Sequence, residues 1–122
     1  MALRPLSRKE EILLYLSEGP LEHDIAMPLR STQPGIRRDL EMSRAACSFC
    51  MAELESEHLV KWKMAHIDGF SQRLKAYVIT PTAEPEVRRS MQKLEILERA
   101  EALAQEFSQL QLVFTLTPRA KG

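Results

Sequence analysis

The residues best able to do chemistry lie together in Ser43-Arg44-Ala45-Ala46-Cys47-Ser48-Phe49-Cys50. An arginine at the start of a helix can give paired hydrogen bonds to the edge of a guanine, and a serine on the same side adds a hydroxyl. Cys47-x-x-Cys50 has the spacing of a metal or redox pair. Zinc, however, needs about four ligands, and His58 and His66 are not spaced to complete a set. A thioredoxin-type pair needs a strand leading into the helix, which is missing here. The two thiols therefore read as small apolar residues in or near a core. His23, His58 and His66 have no evident nucleophile partner, no glycine-rich phosphate loop occurs, and no carboxylate pair stands out. No enzyme activity, cofactor or bound metal is expected.

These residues need elements to position them. Ser7-Arg8-Lys9-Glu10 is a capping box that starts a first helix, with Ile12, Leu13 and Leu16 on its apolar side and Gly19-Pro20 at its end. A connector follows, containing His23-Asp24-Ile25 as a candidate short strand. Ser31, Thr32 or Gln33 can cap a second helix, with Pro34 in its first turn and Ile36 and Leu40 as its buried stripe. The turn Leu40-Glu41-Met42-Ser43 leads to helix three, spanning about 43–57, where Ser43 is the cap and Cys47, Met51 and Leu54 are the residues to bury. The opposite side carries Arg44, Ala45, Ser48, Phe49 and Ala52. Phe49 could contact a ligand surface, pack on a partner, or belong to the core if the helix phase is shifted.

After Leu59-Val60 the apolar period changes from helical to alternating. Lys61-Trp62-Lys63-Met64 and Leu74-Lys75-Ala76-Tyr77-Val78-Ile79 read as the strands of a hairpin, with Trp62 packing at its base. The loop is His66 to Gln72, turning at Asp68-Gly69. Thr82 is a candidate cap for a last helix, with Pro85 in its first turn. From Glu86 the pattern is helical for about seven turns. Val87, Met91 and Leu94 begin an apolar stripe, and Ile96, Ala100, Leu103, Phe107, Leu110 and Phe114 continue it at heptad-like spacing. Residues 112–117 read equally as helix or strand.

Lys plus Arg balances Asp plus Glu at 17 each, so net charge alone does not point to nucleic acid, and the surface distribution must decide. No apolar run reaches membrane-spanning length, and Met1-Ala2-Leu3-Arg4-Pro5 lacks the apolar core of a signal peptide. A cytoplasmic protein without membrane contact is expected.

Thr32-Gln33-x-Gly35-Ile36, Leu40-x-Met42-Ser43-Arg44-Ala45, Leu54-x-x-x-x-Leu59-Val60 and Lys75-Ala76-Tyr77-Val78-Ile79-Thr80-Pro81 occur in this order, with Asp24-Ile25 upstream. Over roughly Ser7 to Ala83 this series resembles archaeal winged-helix transcriptional regulators of the broad MarR-like class. The resemblance implies an α+β fold: a winged helix-turn-helix domain (three helices plus a β-hairpin wing) at 1–83. Residues 84–122 would form a long C-terminal helix serving dimerisation. It further implies a DNA-binding regulator acting as a homodimer, helix three in the major groove and the 66–75 hairpin as wing. The partner would be double-stranded DNA. Ser43, Arg44, Ala45, Ser48 and Phe49 would face the bases, and Gln72, Arg73 and Lys75 would belong to the wing. Thr32 and Gln33 join them from the motif. Arg37 joins from a cationic track that could also include Arg38, Lys61 and Lys63. The dimer seam would be Val87, Met91, Leu94, Ile96, Leu103, Phe107 and Leu110.

The chain departs from that pattern in composition. Ala45, Ala46, Phe49, Cys50 and Ala52 stand where such reading faces carry polar or basic residues, and Asp68 sits on the wing. A winged-helix module that binds a protein partner rather than a specific DNA sequence is the alternative.

Overall fold

The structure is a computed structural model; it describes residues 6–116, with side chains through residue 111. Its elements are α1 (Arg8–Ser17), β1 (Ala26–Met27), α2 (Gln33–Leu40), α3 (Arg44–Ser56), β2 (Val60–Ile67), β3 (Arg73–Ile79) and α4 (Glu84–Leu116). Single 3-10 turns at Leu29–Ser31 and Pro81–Ala83 precede α2 and α4.

Local chemistry sets the helix starts. The Ser7 hydroxyl accepts from the Glu10 amide at 3.1 Å, and the Glu10 carboxylate accepts from the Ser7 amide at 3.0 Å. Thr32 caps α2 and Ser43 caps α3, each accepting from the amide three residues on. The tight turn between α2 and α3 is made by Glu41, whose φ of 52° is left-handed, while the Met42 amide returns to the Arg37 carbonyl at 3.0 Å. Gly35 is dictated by space: a β-carbon there would sit 2.1 Å from the Leu29 carbonyl oxygen.

The sheet has the order β1-β2-β3, with β1 parallel and β3 antiparallel to β2. The short strand falls at Ala26–Met27, just after the anticipated His23-Asp24-Ile25, because the Ile25 and Met27 carbonyls are the ones that accept from His66 and Asp68. One sheet face and the helices enclose the main core, built on Ile12, Leu16, Ile36, Met51, Leu54 and Tyr77. Met27, Ala65, Ile67, Ala76 and Val78 form a second cluster.

Three consecutive residues of α1 tie down the three other helices. Arg8 donates to the Leu40 carbonyl at 2.9 Å at the end of α2. Lys9 pairs with Glu57 at 2.6 Å and Glu53 at 3.3 Å at the end of α3. Glu10 accepts from Lys93 at 2.9 Å and from the Ser90 hydroxyl at 3.3 Å on α4. The Lys93 bond, followed by the Ser7 amide, holds the Glu10 carboxyl down at about 2.

The last helix departs from expectation in three ways. Thr82 does not cap it: the chain first passes through the Pro81–Ala83 turn, where the Ala83 amide returns to the Thr80 carbonyl, and α4 opens at Glu84. Residues 112–116 are helical, and residue 117 lies outside the described residues. The single anticipated seam divides into two. Leu94 and Ile96 are about 200° apart around a helix, so Val87, Met91 and Leu94 lie on one side while Ile96, Leu103, Phe107 and Leu110 lie on the other. Val87 is buried in the main core and so is removed from any dimer seam. Met91 and Leu94 line a groove of about 290 Å³ with Leu14 and Ser17 of α1. The other side is open, with Ile96, Leu103, Phe107 and Leu110 each 58–66% exposed.

Candidate nucleic-acid interface

Helix α3 divides as its sequence pattern demands. Cys47, Met51 and Leu54 are buried, as expected, and Cys50 joins them at 8% exposure. That agrees with the reading of both thiols as small core residues and removes Cys50 from the reading face, where the family pattern would have put it. Burial pushes both thiols above their ordinary range, so they stay protonated and are poor nucleophiles and metal ligands. Among the described residues, no group of three or more His, Cys, Asp or Glu side chains could hold a metal ion.

The outer face carries Arg44, Ala45, Ala46, Ser48, Phe49 and Ala52, all exposed. Phe49 is 65% exposed, which fixes the helix phase and removes it from the core. Arg44 stands in the first turn beside the Ser43 cap. The Ser48 hydroxyl donates to Gln33 Oε1 at 3.1 Å, and Gln33 Nε2 donates to the Tyr77 hydroxyl at 3.2 Å. This chain of bonds locks the start of α2 and the strand β3 to the side of α3. Nothing in the local pattern signalled it, because its members are far apart in sequence.

The hairpin supplies the second surface. Directly opposed residues of an antiparallel pair share a face. The Trp62–Tyr77 pair faces the core, so Met64–Lys75 and His66–Arg73, further along, project on the same side of the sheet. Lys75 lies over the Trp62 ring at 4.3 Å, and Trp62 Nε1 donates to Glu55 of α3 at 2.9 Å. Lys75 also lines a hollow of about 170 Å³ with Gln33 and Pro34 at the start of α2. The loop itself is shorter than anticipated, since His66 and Ile67 belong to β2. Gly69 takes the positive φ of 84° that closes the turn, with the Phe70 amide bonded to the Ile67 carbonyl at 2.9 Å. Gln72 and Arg73 are exposed at its far end.

Two sets of expected contacts fall away from this surface. Thr32 is 0% exposed, with its hydroxyl donating to the Leu29 carbonyl at 2.7 Å as well as capping α2, so it has no accessible atom to offer. Lys61 and Lys63 oppose Val78 and Ala76, which places them on the other side of the hairpin. Arg37 is half-buried, with its Nε unpartnered among the described residues. Arg38 is exposed but pairs with the neighbouring Asp39 at 2.8 Å. The set brought together is Gln33, Ser43, Arg44, Ala45, Ser48 and Phe49, with Lys75 beside them and Gln72 and Arg73 further out.

No protein-family model matches the sequence, and no curated protein matches it. Solved structures do match. The adhesin competence repressor AdcR from Streptococcus pyogenes is 22% identical, with a TM-score of 0.62 over 90% of this chain and 73% of its own. ZitR from Lactococcus lactis, solved in complex with DNA, is 22% identical, with a TM-score of 0.59 over 94% of this chain and 70% of its own. A MepR–DNA complex from S. aureus is 16% identical, with a TM-score of 0.60 over 89% and 80%. All three are winged-helix regulators of the MarR family. At these identities the likeness establishes the fold. This chain has a MarR-like winged-helix fold.

Proposed function

We propose that this chain is a transcriptional regulator that binds double-stranded DNA as a homodimer in the cytoplasm, with α3 in the major groove and the 66–75 hairpin as the wing. The observation that carries the reading is the outer face of α3. It is unburied along its length within a helix-turn-helix, while the cationic strand end with Arg73 and Lys75 stands on the hairpin side that packs toward it. That two structural neighbours were solved on DNA supports the same use here. The archaeal likeness rests on the sequence motifs alone. Residues 1–83 act as the DNA-binding unit. Within 84–122 the dimerising stretch starts beyond Ser90, because Val87 and Ser90 are buried against the rest of the domain. Ile96, Leu103, Phe107 and Leu110 form the dimer seam, and two-fold pairing presents two copies of α3 to successive grooves.

The test is fluorescence anisotropy with a random-sequence duplex from low to moderate salt. Micromolar binding whose logarithm falls steeply with salt is expected. On a site selected from such duplexes, Arg44→Ala should weaken binding roughly tenfold or more, as the loss of a paired contact to guanine does. Failure to bind any duplex at low salt refutes the reading.

One observation favours a protein-binding module instead: Phe49 is 65% exposed on a largely apolar helix face. In that case Phe49→Ala weakens capture of a protein partner, and Arg44→Ala has no DNA affinity to reduce.

A further inference from the structure

We infer that the protein selects its sites through the 5-methyl groups of thymine, read by the stripe Ala45, Phe49 and Ala52, with Arg44 as the one polar side chain of the outer face that has no partner among the described residues. This inference rests on the proposed DNA-binding function and specifies what that site recognises.

The Ser43 oxygen accepts from the Ala46 amide. Ser48 spends its proton on Gln33, whose own amide is spent on Tyr77. Glu53 is taken by Lys9, and Glu55 by Trp62. Arg44 alone among the polar side chains of the outer face has no partner among the described residues, which leaves its planar fork free for a guanine edge. The rest is apolar. Ala45, Phe49 and Ala52 recur at four and three residues, so they line up along one side of the helix, all exposed.

Within the major groove the one apolar group displayed by the bases is the thymine C5-methyl, and alanine and phenylalanine are suited to touch it. The surroundings favour a polyanion as the occupant rather than an apolar protein groove. Arg44 caps one end of the stripe, and Lys75 and Arg73 project from the adjoining hairpin. Such a face discriminates by methyl burial and by one arginine, not by a dense set of polar contacts.

The experiment starts from a site selected by the wild-type protein from random duplexes. Its affinity is compared with that of the same duplex carrying deoxyuridine for every thymidine, using wild-type protein and Phe49→Ala. The expected result is a roughly three- to fivefold loss for each contacted methyl on uracil substitution, with the thymine preference shrinking toward one in Phe49→Ala. Phe49 is exposed, so its truncation leaves the core intact, and a change in DNA shape caused by uracil would persist in the variant. Equal affinity for the two duplexes overturns the methyl inference while leaving the regulator reading in place. A preference that survives Phe49→Ala unchanged also overturns it. No binding to any duplex at low salt removes the DNA reading, and this inference with it.

Discussion

Placing an aspartate at Leu103 should separate the proposed dimer into monomers, and the structure gives the scale of the effect. Ile96, Leu103, Phe107 and Leu110 are 66, 65, 62 and 58% exposed on one side of α4. Complete burial of such a side chain gives about 1.5–3 kcal/mol, so burying the exposed three-fifths gives about 1–2 kcal/mol each. Leu103→Asp removes two of these contributions by symmetry, about 2–4 kcal/mol, and sets two carboxylates near one another at the seam. The dissociation constant should rise by roughly 30- to 1000-fold. Met91→Asp is the control, because Met91 lies on the opposite side of the helix beside α1. Sedimentation equilibrium across a range of protein concentrations reads the result, with circular dichroism to confirm that α4 stays helical. Wild type and Leu103→Asp with the same mass at every concentration would refute the seam. Dissociation by Met91→Asp instead would show that the α1 side of the helix is the interface.

Two further outcomes follow from the fold. Gly35→Ala should destabilise the domain by about 3 kcal/mol in chemical denaturation, because the new methyl meets the Leu29 carbonyl and the overlap outweighs the roughly 1 kcal/mol of helix preference that alanine gains; an unchanged midpoint would show that the two segments can move apart freely. Glu10 has a folded pKa of about 2 against 4.5 in the free state, so its contribution is full above pH 4.5 and is lost as pH falls toward 2. With the exposure of its partner Lys93 taken into account, Glu10→Gln should cost about 1–2 kcal/mol at pH 7 and progressively less below pH 4. Urea titrations giving the same difference at both pH values would contradict that linkage.

What the sequence disclosed was whatever depends on neighbours a few residues apart. The caps at Ser7, Thr32 and Ser43 were readable because a cap is a bond across three residues. The phase of α3 was readable because Cys47, Met51 and Leu54 repeat at helical spacing. Cys50 fits the same spacing, three after Cys47 and four before Leu54, so its burial agrees with the reading of both thiols as core residues and not with its place among the reading-face residues. The α4 stripe was misread for a different reason: the two-residue step from Leu94 to Ile96 crosses to the other side of the helix, which the spacing itself shows. Thr32 was carried into the DNA-contacting set from the motif, and only the folded chain shows the Leu29 carbonyl holding its hydroxyl inside. The Ser48–Gln33–Tyr77 bonds join residues 15 and 44 positions apart and have no local signature.

These long-range bonds bear on how the proposed dimer seam would control the placing of α3. Two copies of α3 can meet successive grooves only if each is held at a fixed angle to α4. The outer face of α3 has no packing of its own, so the helix is held from its inner side and its ends. The first turn of α1 supplies the rigidity: Arg8 grips the end of α2, Lys9 the end of α3, and Glu10 the base of α4. Each bond alone is partly exposed and contributes little. They converge on the first turn of a helix whose Ile12, Leu13 and Leu16 are buried, so they start from a fixed base. The two polar layers therefore act together. Below α3, α1 fixes its position relative to α4, and at its side the Ser48–Gln33–Tyr77 bonds fix it relative to the hairpin. Only the apolar stripe and Arg44 are left uncommitted, and these are the groups free to meet a partner.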